Sequence, residues 1–277
     1  MNTQITSIRP RITSGDLAAK ITEHIQQLAQ ATDAARVTEE MTRYLEACSK
    51  FHHYSLQNIW LILMANPHAT RVAGFRKWQS LNRYVRKGEH GIPILAPIVV
   101  IQDKDKPDEG KVVVGFKVVY VFDISQTEGE PLPPPPEWKS PEKNTLLAER
   151  LVEFAKRKGI TVTERQLVGD IQGVSKGGLI ELNPAAGTST LIHEIAHELI
   201  HEIAHELMHR NKDRPTTKSI REMEAEAVAF VVARHFGMDN MASPNYVALH
   251  GADSKAILEH LERICRLAAE VIEAVDV

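Results

Sequence analysis

Five histidines stand four residues apart in LIHEIAHELIHEIAHELMH (191–209): His193, His197, His201, His205 and His209. The octapeptide LIHEIAHE occurs twice in succession, so the stretch contains four overlapping H-E-x-x-H matches. On a helix, residues four apart lie about 40° apart around the axis and one turn up, so two imidazoles can reach one ion. Neutral imidazole is a good zinc ligand. The glutamate after the first histidine can face the open coordination position and take a proton from zinc-bound water. The drift of about 40° per step spreads the five histidines over roughly 160°, so one ion cannot use them all. The helix also has a plain structural reading, because Ile192, Ile195, Ala196, Leu199, Ile200, Ile203, Ala204 and Leu207 form one apolar arc. Solvated faces are usually built from Lys, Arg and Glu, however, and not from five evenly spaced histidines.

A catalytic zinc site needs a third protein ligand, and the next helical segment, IREMEAEAVAF, offers three carboxylates. Glu222 and Glu226 share a face that small Ala229 continues, while Glu224 is expected to point nearly opposite. Ser219-x-x-Glu222 also reads as a capping box, a competing use of Glu222. The two octapeptide copies offer identical chemistry, so placement must choose between them. His205 precedes Glu222 by 17 residues and His197 by 25. The shorter span suits adjacent antiparallel helices. The expected site is therefore His201, Glu202 and His205 with Glu222. His193, Glu194 and His197 remain the alternative copy, and Glu226 and Glu224 the alternative third ligands.

Between residues 71 and 89 the chain collects Arg71, Arg76, Lys77, Arg83, Arg86 and Lys87 with Glu89 as the only acid, and interleaves Phe75, Trp78 and Tyr84. Cations that track phosphates and rings that stack on exposed bases suit single-stranded nucleic acid. The candidate contacts are Arg71, Arg76, Lys77, Trp78, Arg83, Tyr84, Arg86 and Lys87.

These motifs carry two resemblances. The C-terminal half resembles the gluzincin-type metallopeptidases of the ImmA/IrrE kind, in which H-E-x-x-H is followed by a helix of pattern E-x-x-A-x-x-x-A. Glu222, Ala225 and Ala229 stand at the matching positions. The N-terminal half resembles the single-stranded-DNA-binding domain of ArdC-type antirestriction proteins. It does so through Phe51, Tyr54, Ser55 and Asn58, NPHATRVAGFRKW (66–78), RKGEHGIPILAP (86–97) and VFDISQTEG (121–129). The resemblance implies a zinc-dependent metallopeptidase joined to a domain that binds single-stranded DNA, with a protein substrate, in antirestriction on mobile or phage-related DNA. Two rivals are a DNA-binding protein whose doubled motif supports no catalysis, and a regulatory protease that cleaves a repressor.

The expected fold class is α+β. An α/β single-stranded-DNA-binding domain (1–130) is followed by a proline-rich linker (131–140) and a mostly helical, zincin-like domain with a small β-sheet (141–277). Helical periodicity marks LAAKITEHIQQLA, VTEEMTRYLEAC and YSLQNIWLILMA, and β-branched runs mark IPILAPIVVI and VVVGFKVVYVFDI as a hairpin around QDKDKPDEGK. After the prolines, NTLLAERLVEFAKRKG closes at Gly159, and ITVTER and GGLIELN read as strands. GGLIELN is a candidate to align an extended substrate by β-pairing. The histidine helix and two more helices complete the chain.

Net charge is only −3, so whole-chain charge selects no partner. Cys48 and Cys265 have no ligand or redox spacing and read as buried free thiols of a reducing cytosol. His52, His53 and His250 read as structural histidines. MNTQITSIRP lacks the apolar segment of a signal peptide and no run approaches a membrane span, so a cytoplasmic protein without membrane association is expected.

Overall fold

The computed structural model describes residues 12–30, 34–101, 111–132, 141–168, 173–184, 189–209, 217–238 and 253–276, the side chains of 34–38, 101, 111, 141–144, 189–198 and 254 excepted. The fold is mixed α and β. Among the described residues it divides into two compact units, one of Met1–His24 with Trp60–Pro131, the other of Ile25–Ile59 with Leu132–Val277. One of the divisions falls between Pro131 and Leu132. The segment Ile25–Ile59, expected within the first domain, clusters with the C-terminal part. Residues 133–140 of the expected linker lie outside the described residues.

The first unit is built on two small antiparallel sheets. Strands β3 (Ile92–Ile101) and β4 (Lys111–Asp123) form the expected hairpin, and β1 (Val72–Gly74) pairs with the other edge of β4, giving the order β1-β4-β3. Residues 102–110, where the sequence places the turn, lie outside the described residues. A short helix, α4 (Phe75–Ser80), follows β1, and β2 (Arg83–Val85) pairs with β5 (Thr127–Gly129). Buried Asp123 fastens these pieces. Its Oδ2 accepts from the Thr70 and Arg71 amides at 2.8 and 3.1 Å, and its Oδ1 from the Ser125 amide at 2.9 Å. Burial pushes the Asp123 carboxyl up, yet these hydrogen bonds outweigh it and hold the group below the ordinary aspartate value.

The second unit is a helical cluster over a three-stranded sheet. Its helices are α2 (Ala34–Lys50), α5 (Pro141–Arg157), α6 (Ser189–His209), α7 (Lys218–His235) and α8 (Ser254–Val275). The remaining helices, α1 (Ser14–Gln30) and α3 (Leu56–Ala65), are each crossed by the unit boundary. Helix α7 is buried nearly all round through Met223, Ala225, Ala227, Val228, Ala229, Phe230, Val231, Val232 and Ala233. The run Ala227–Ala233 is apolar all round, which suits the centre of a bundle, and α6, α8 and α2 pack around the helix. Thr217, not Ser219, caps α7, its Oγ1 accepting from the Ile220 amide at 3.2 Å. The capping-box reading of Glu222 is thereby corrected, and that carboxylate is left to point elsewhere.

The sheet runs β6 (Thr161–Glu164), β8 (Leu179–Leu182), β7 (Gly173–Ser175), with β6 parallel and β7 antiparallel to β8. GLIELN is thus the central strand. Its backbone groups already serve two neighbours, so the expectation that it aligns an extended substrate is corrected.

Cys48 of α2 and Cys265 of α8 form a disulfide, with Cα atoms 6.1 Å apart, where free thiols were expected. The packing of α2 beside α8 brings together positions that are 217 residues apart in sequence. The pairing removes the thiol argument for a reducing compartment. No described helix is long and apolar enough to cross a membrane.

His52 follows α2, with its ring 3.8 Å from that of His53 and 4.8 Å from that of His235. Burial, and then the neighbouring His53 and His235, lower its pKa to about 4. A histidine with a depressed folded pKa contributes stability that is present above its unfolded value and lost as pH falls from about 6.5 towards 4. Urea denaturation at pH 7 and pH 4.5 should show a smaller loss of stability for His52→Leu than for the parent protein.

Candidate metal centre and nucleic-acid surface

Helix α6 presents His201 and His205 one turn apart, with ring centroids 4.7 Å apart and planes at 80°. Glu222, in the first turns of α7, faces both. Its Oε2 lies 3.9 Å from His201 Nε2 and 3.4 Å from His205 Nε2. One ligand atom from each of the three residues lies within 4.8 Å of the others, the only such cluster among the described residues. Two imidazoles and a carboxylate are a donor set suited to a borderline divalent ion such as zinc, and it leaves a position open. Burial, reinforced by His201, lowers the His205 pKa, while Glu222 and Glu202 oppose that shift. A lowered pKa favours the neutral imidazole that metal binding requires.

The glutamates that follow the histidines have separate fates. Glu202 is buried, and its Oε1 lies 3.3 Å from His201 Nδ1, the ring nitrogen away from Glu222. Glu206 is also buried and is wholly engaged by the β7–β8 turn. Its Oε1 accepts from Ser175 Oγ at 2.7 Å and the Gly177 amide at 2.6 Å, and its Oε2 from the Gly178 amide at 2.5 Å. Gly177 and Gly178 have φ of +78° and +92°, which side chains resist, so the two amides can converge on one carboxylate. Glu206 is therefore an anchor of α6 on the sheet, and the 205–209 match has no free base.

Glu224 was expected to point away from α6. Instead it is fully buried, with Oε2 2.9 Å from His209 Nε2 and Oε1 2.6 Å from Nδ1 of His260 on α8. It lies where three helices meet, and sequence spacing within α7 alone could not reveal this. Glu226 is partly buried on α7 and is not in the cluster. The side chains of His193, Glu194 and His197, and residue His250, lie outside the described residues.

In the first unit the structure sorts the expected nucleic-acid contacts. Arg76, Lys77, Tyr84, Arg86 and Lys87 are exposed and Arg71 is partly so. Two expectations are corrected. Trp78 is buried, its indole N–H donating to the Phe122 carbonyl at 2.9 Å, so it is a core anchor and not a base-stacking ring. Arg83 is buried too. Its guanidinium donates to Thr127 Oγ1 at 2.9 Å, to the Thr127 carbonyl at 3.2 Å and to the Gly129 and Glu130 carbonyls. Each residue type has a second use, ring burial or carbonyl binding, and composition cannot tell the uses apart.

The sequence reading missed the outer face of β4. Phe116 and Tyr120 share one face of that strand with Phe122 and are 52% and 49% exposed. Phe75, 47% exposed, meets the Phe122 ring edge-on at 6.4 Å. Pro93 and Pro97 of β3 pair opposite Tyr120 and Phe116 and flatten the same face. The signal lay in the even spacing of aromatics in FKVVYVF, because strand side chains alternate with period two. Rings exposed on a sheet can stack unpaired bases.

Comparison with known proteins places these observations. Residues 13–122 match the family model of the N-terminal domain of anti-restriction factor ArdC. An uncharacterized protein of Bacillus anthracis, pXO2-81, is 25% identical over 292 residues, which cover 86% of this chain and 48% of the relative. The chain thus spans about half the length of that curated relative. The metal-free crystal structure of the antirestriction ArdC protein from plasmid R388 is 18% identical, with a TM-score of 0.43 over 80% of this chain and 81% of that one. The Mn(II)-bound structure of the same protein gives 16% identity and a TM-score of 0.44, over 79% of this chain and 86% of that one.

Trp78→Ala should cost about 3–5 kcal/mol of stability, as for other buried large aromatic truncations. Phe116→Ala and Tyr120→Ala should each stay within about 1 kcal/mol of the parent, because they empty no core. Chemical denaturation curves for the three variants check this ordering.

Proposed function

We propose that this chain is an antirestriction-type protein that binds single-stranded DNA through its first unit and hydrolyses peptide bonds at a zinc centre in its second. The observation that supports this most is the convergence of His201, His205 and Glu222 from two helices, with Glu202 packed against the first histidine. When bound, zinc supplies Lewis-acid polarisation of a carbonyl and lowers the pKa of a coordinated water. His201 and His205 would hold the ion, their Nε2 atoms facing the Glu222 carboxylate that would complete the set. Glu202 would be the carboxylate that takes a proton from the attacking water and returns it to the leaving amine. Among the described strands of the sheet, β7 has an unpaired edge on the side of α6, a place for an extended substrate to add a strand.

The DNA-binding part of the proposal rests on the match to the ArdC N-terminal domain and on the exposed rings of β4. Arg76, Lys77 and Lys87 supply exposed cations on the same unit. A reading without catalysis, in which the metal site only stabilises the helices, is the alternative that the metal experiment separates.

Metal analysis after dialysis should find bound zinc in the parent protein and in His193→Ala, and loss of it in His201→Ala and His205→Ala. Glu202→Gln should keep zinc and lose hydrolysis of an unfolded protein such as casein. Zinc retention by His201→Ala, or zinc loss by His193→Ala, overturns the assigned pair. Full activity in Glu202→Gln overturns the assigned base, and an inactive parent that binds zinc leaves the stabilising role.

For DNA, an oligo(dT) strand should bind better than duplex and weaken steeply with salt, since counterion release drives association. Phe116→Ala and Tyr120→Ala should each cost about 1–3 kcal/mol in binding if bases stack there. Fluorescence anisotropy at two salt concentrations reads both effects.

A further inference from the structure

The fifth histidine of the repeat is bonded away from the cluster just described, in a short hydrogen-bonded chain with a defined order. His205 Nδ1 lies 3.2 Å from His209 Nδ1, His209 Nε2 lies 2.9 Å from Glu224 Oε2, and Glu224 Oε1 lies 2.6 Å from His260 Nδ1. The four residues come from α6, α7 and α8. Glu224 has no exposed surface, and the side chain of His209 is 6% exposed.

The protons in this chain can be placed by donor and acceptor counting. An ionised carboxylate only accepts, so His209 Nε2 and His260 Nδ1 must both carry protons toward Glu224. A neutral His209 then has one lone pair left, on Nδ1. That lone pair must accept from His205, so the proton of His205 is on Nδ1. The lone pair of His205 is left on Nε2, the atom that faces Glu222 at 3.4 Å. In the opposite arrangement His209 would donate from Nδ1, His205 would carry its proton on Nε2, and that atom could not ligate.

We propose that His209, Glu224 and His260 are positioning residues that fix the Nδ1–H tautomer and ring orientation of His205, and so prepare the metal centre before the ion arrives. The idea rests on the metal-site reading above. It assigns a use to the last histidine of the doubled motif and to the one buried glutamate of α7 that does not reach the cluster. Carboxylates and other groups that hold ligand histidines in this way typically change metal affinity by about 10–100-fold when removed. The chain also links α8 to the ligand set, since His260 lies 36 residues beyond Glu224 in sequence.

The test uses the full-length protein and zinc alone as the probe. Apparent zinc affinity is measured by competition with a chromophoric chelator in the parent, His209→Ala, His209→Gln and His260→Gln, each first checked for folding by circular dichroism. His209→Ala leaves buried Glu224 without one of its partners, whereas His209→Gln keeps a donor for that carboxylate, so the pair separates loss of packing from loss of positioning; His260→Gln breaks the chain at its other end. His209→Ala is expected to bind zinc about 10–100-fold more weakly. His209→Gln should recover much of that loss, because its amide can accept from His205 and donate to Glu224. Nitrogen-15 imidazole spectra of the metal-free parent should show His205 protonated on Nδ1, and His209→Ala should lose that single tautomer. Affinity within twofold of the parent in folded His209→Ala, or an Nε2-protonated His205 in the metal-free parent, overturns the proposal. A parent that binds no zinc overturns instead the metal-site reading on which it rests. Equal weakening in His209→Ala and His209→Gln assigns a packing role and overturns the positioning one.

Discussion

The close packing of α7 against α6 is the constraint on which the candidate centre depends. Two imidazoles one turn apart on a helix bring only two donors, and the third has to come from a neighbour that approaches closely. Helix α7 can approach because Ala225, Ala227, Ala229 and Ala233 lie within its buried surface. It can be central because Met223 to Ala225 and Ala227 to Ala233 are buried. The few polar groups it carries are therefore forced into use: Glu222 emerges at the edge opposite His201 and His205, and buried Glu224 meets His209 and His260. An unpaired buried carboxylate would be costly, so both histidines contribute to the fold whatever they do for a metal.

Glu206 fixes the other degree of freedom, the rotation and height of α6. Its carboxylate takes one hydroxyl and two amides of the β7–β8 turn, which closes on the positive-φ pair Gly177 and Gly178. Glutamates at identical places in H-E-x-x-H thus become different parts. Glu202 stays beside His201 while Glu206 binds the sheet. The doubled octapeptide offers the same chemistry several times, and the neighbours of each turn decide which copy has it to use.

In the first unit the same separation of roles falls on aromatic and basic residues. Trp78 and Arg83 are consumed by the interior, one by the Phe122 carbonyl and the other by the carbonyls of 127–130. The exposed rings are carried by β4 and by Phe75, on a face flattened by Pro93 and Pro97. Stacking on bases would need rings that are left uncovered, and along β4 the ring of Phe122 lies beside buried Val121 while Phe116 and Tyr120 stand exposed.

Much of this was legible in the sequence because local periodicity is local physics. Strict four-residue histidine spacing defines a helix with a ligating stripe. β-Branched runs around a charged turn define the β3–β4 hairpin, and Gly159 ends α5 with φ of +74°. That Glu222 can come near His201 and His205 was also readable, from chain length between the helices. What the sequence could not carry were pairings made across space. These include Cys48 with Cys265, Glu224 with His209 and His260, the central place of β8, the clustering of residues 25–59 with the C-terminal part, and the burial of Trp78 and Arg83. Residue type and spacing determine which face a side chain shares with its near neighbours in sequence. Only tertiary packing decides what lies opposite that face, and a histidine, glutamate or tryptophan acts through whatever lies opposite.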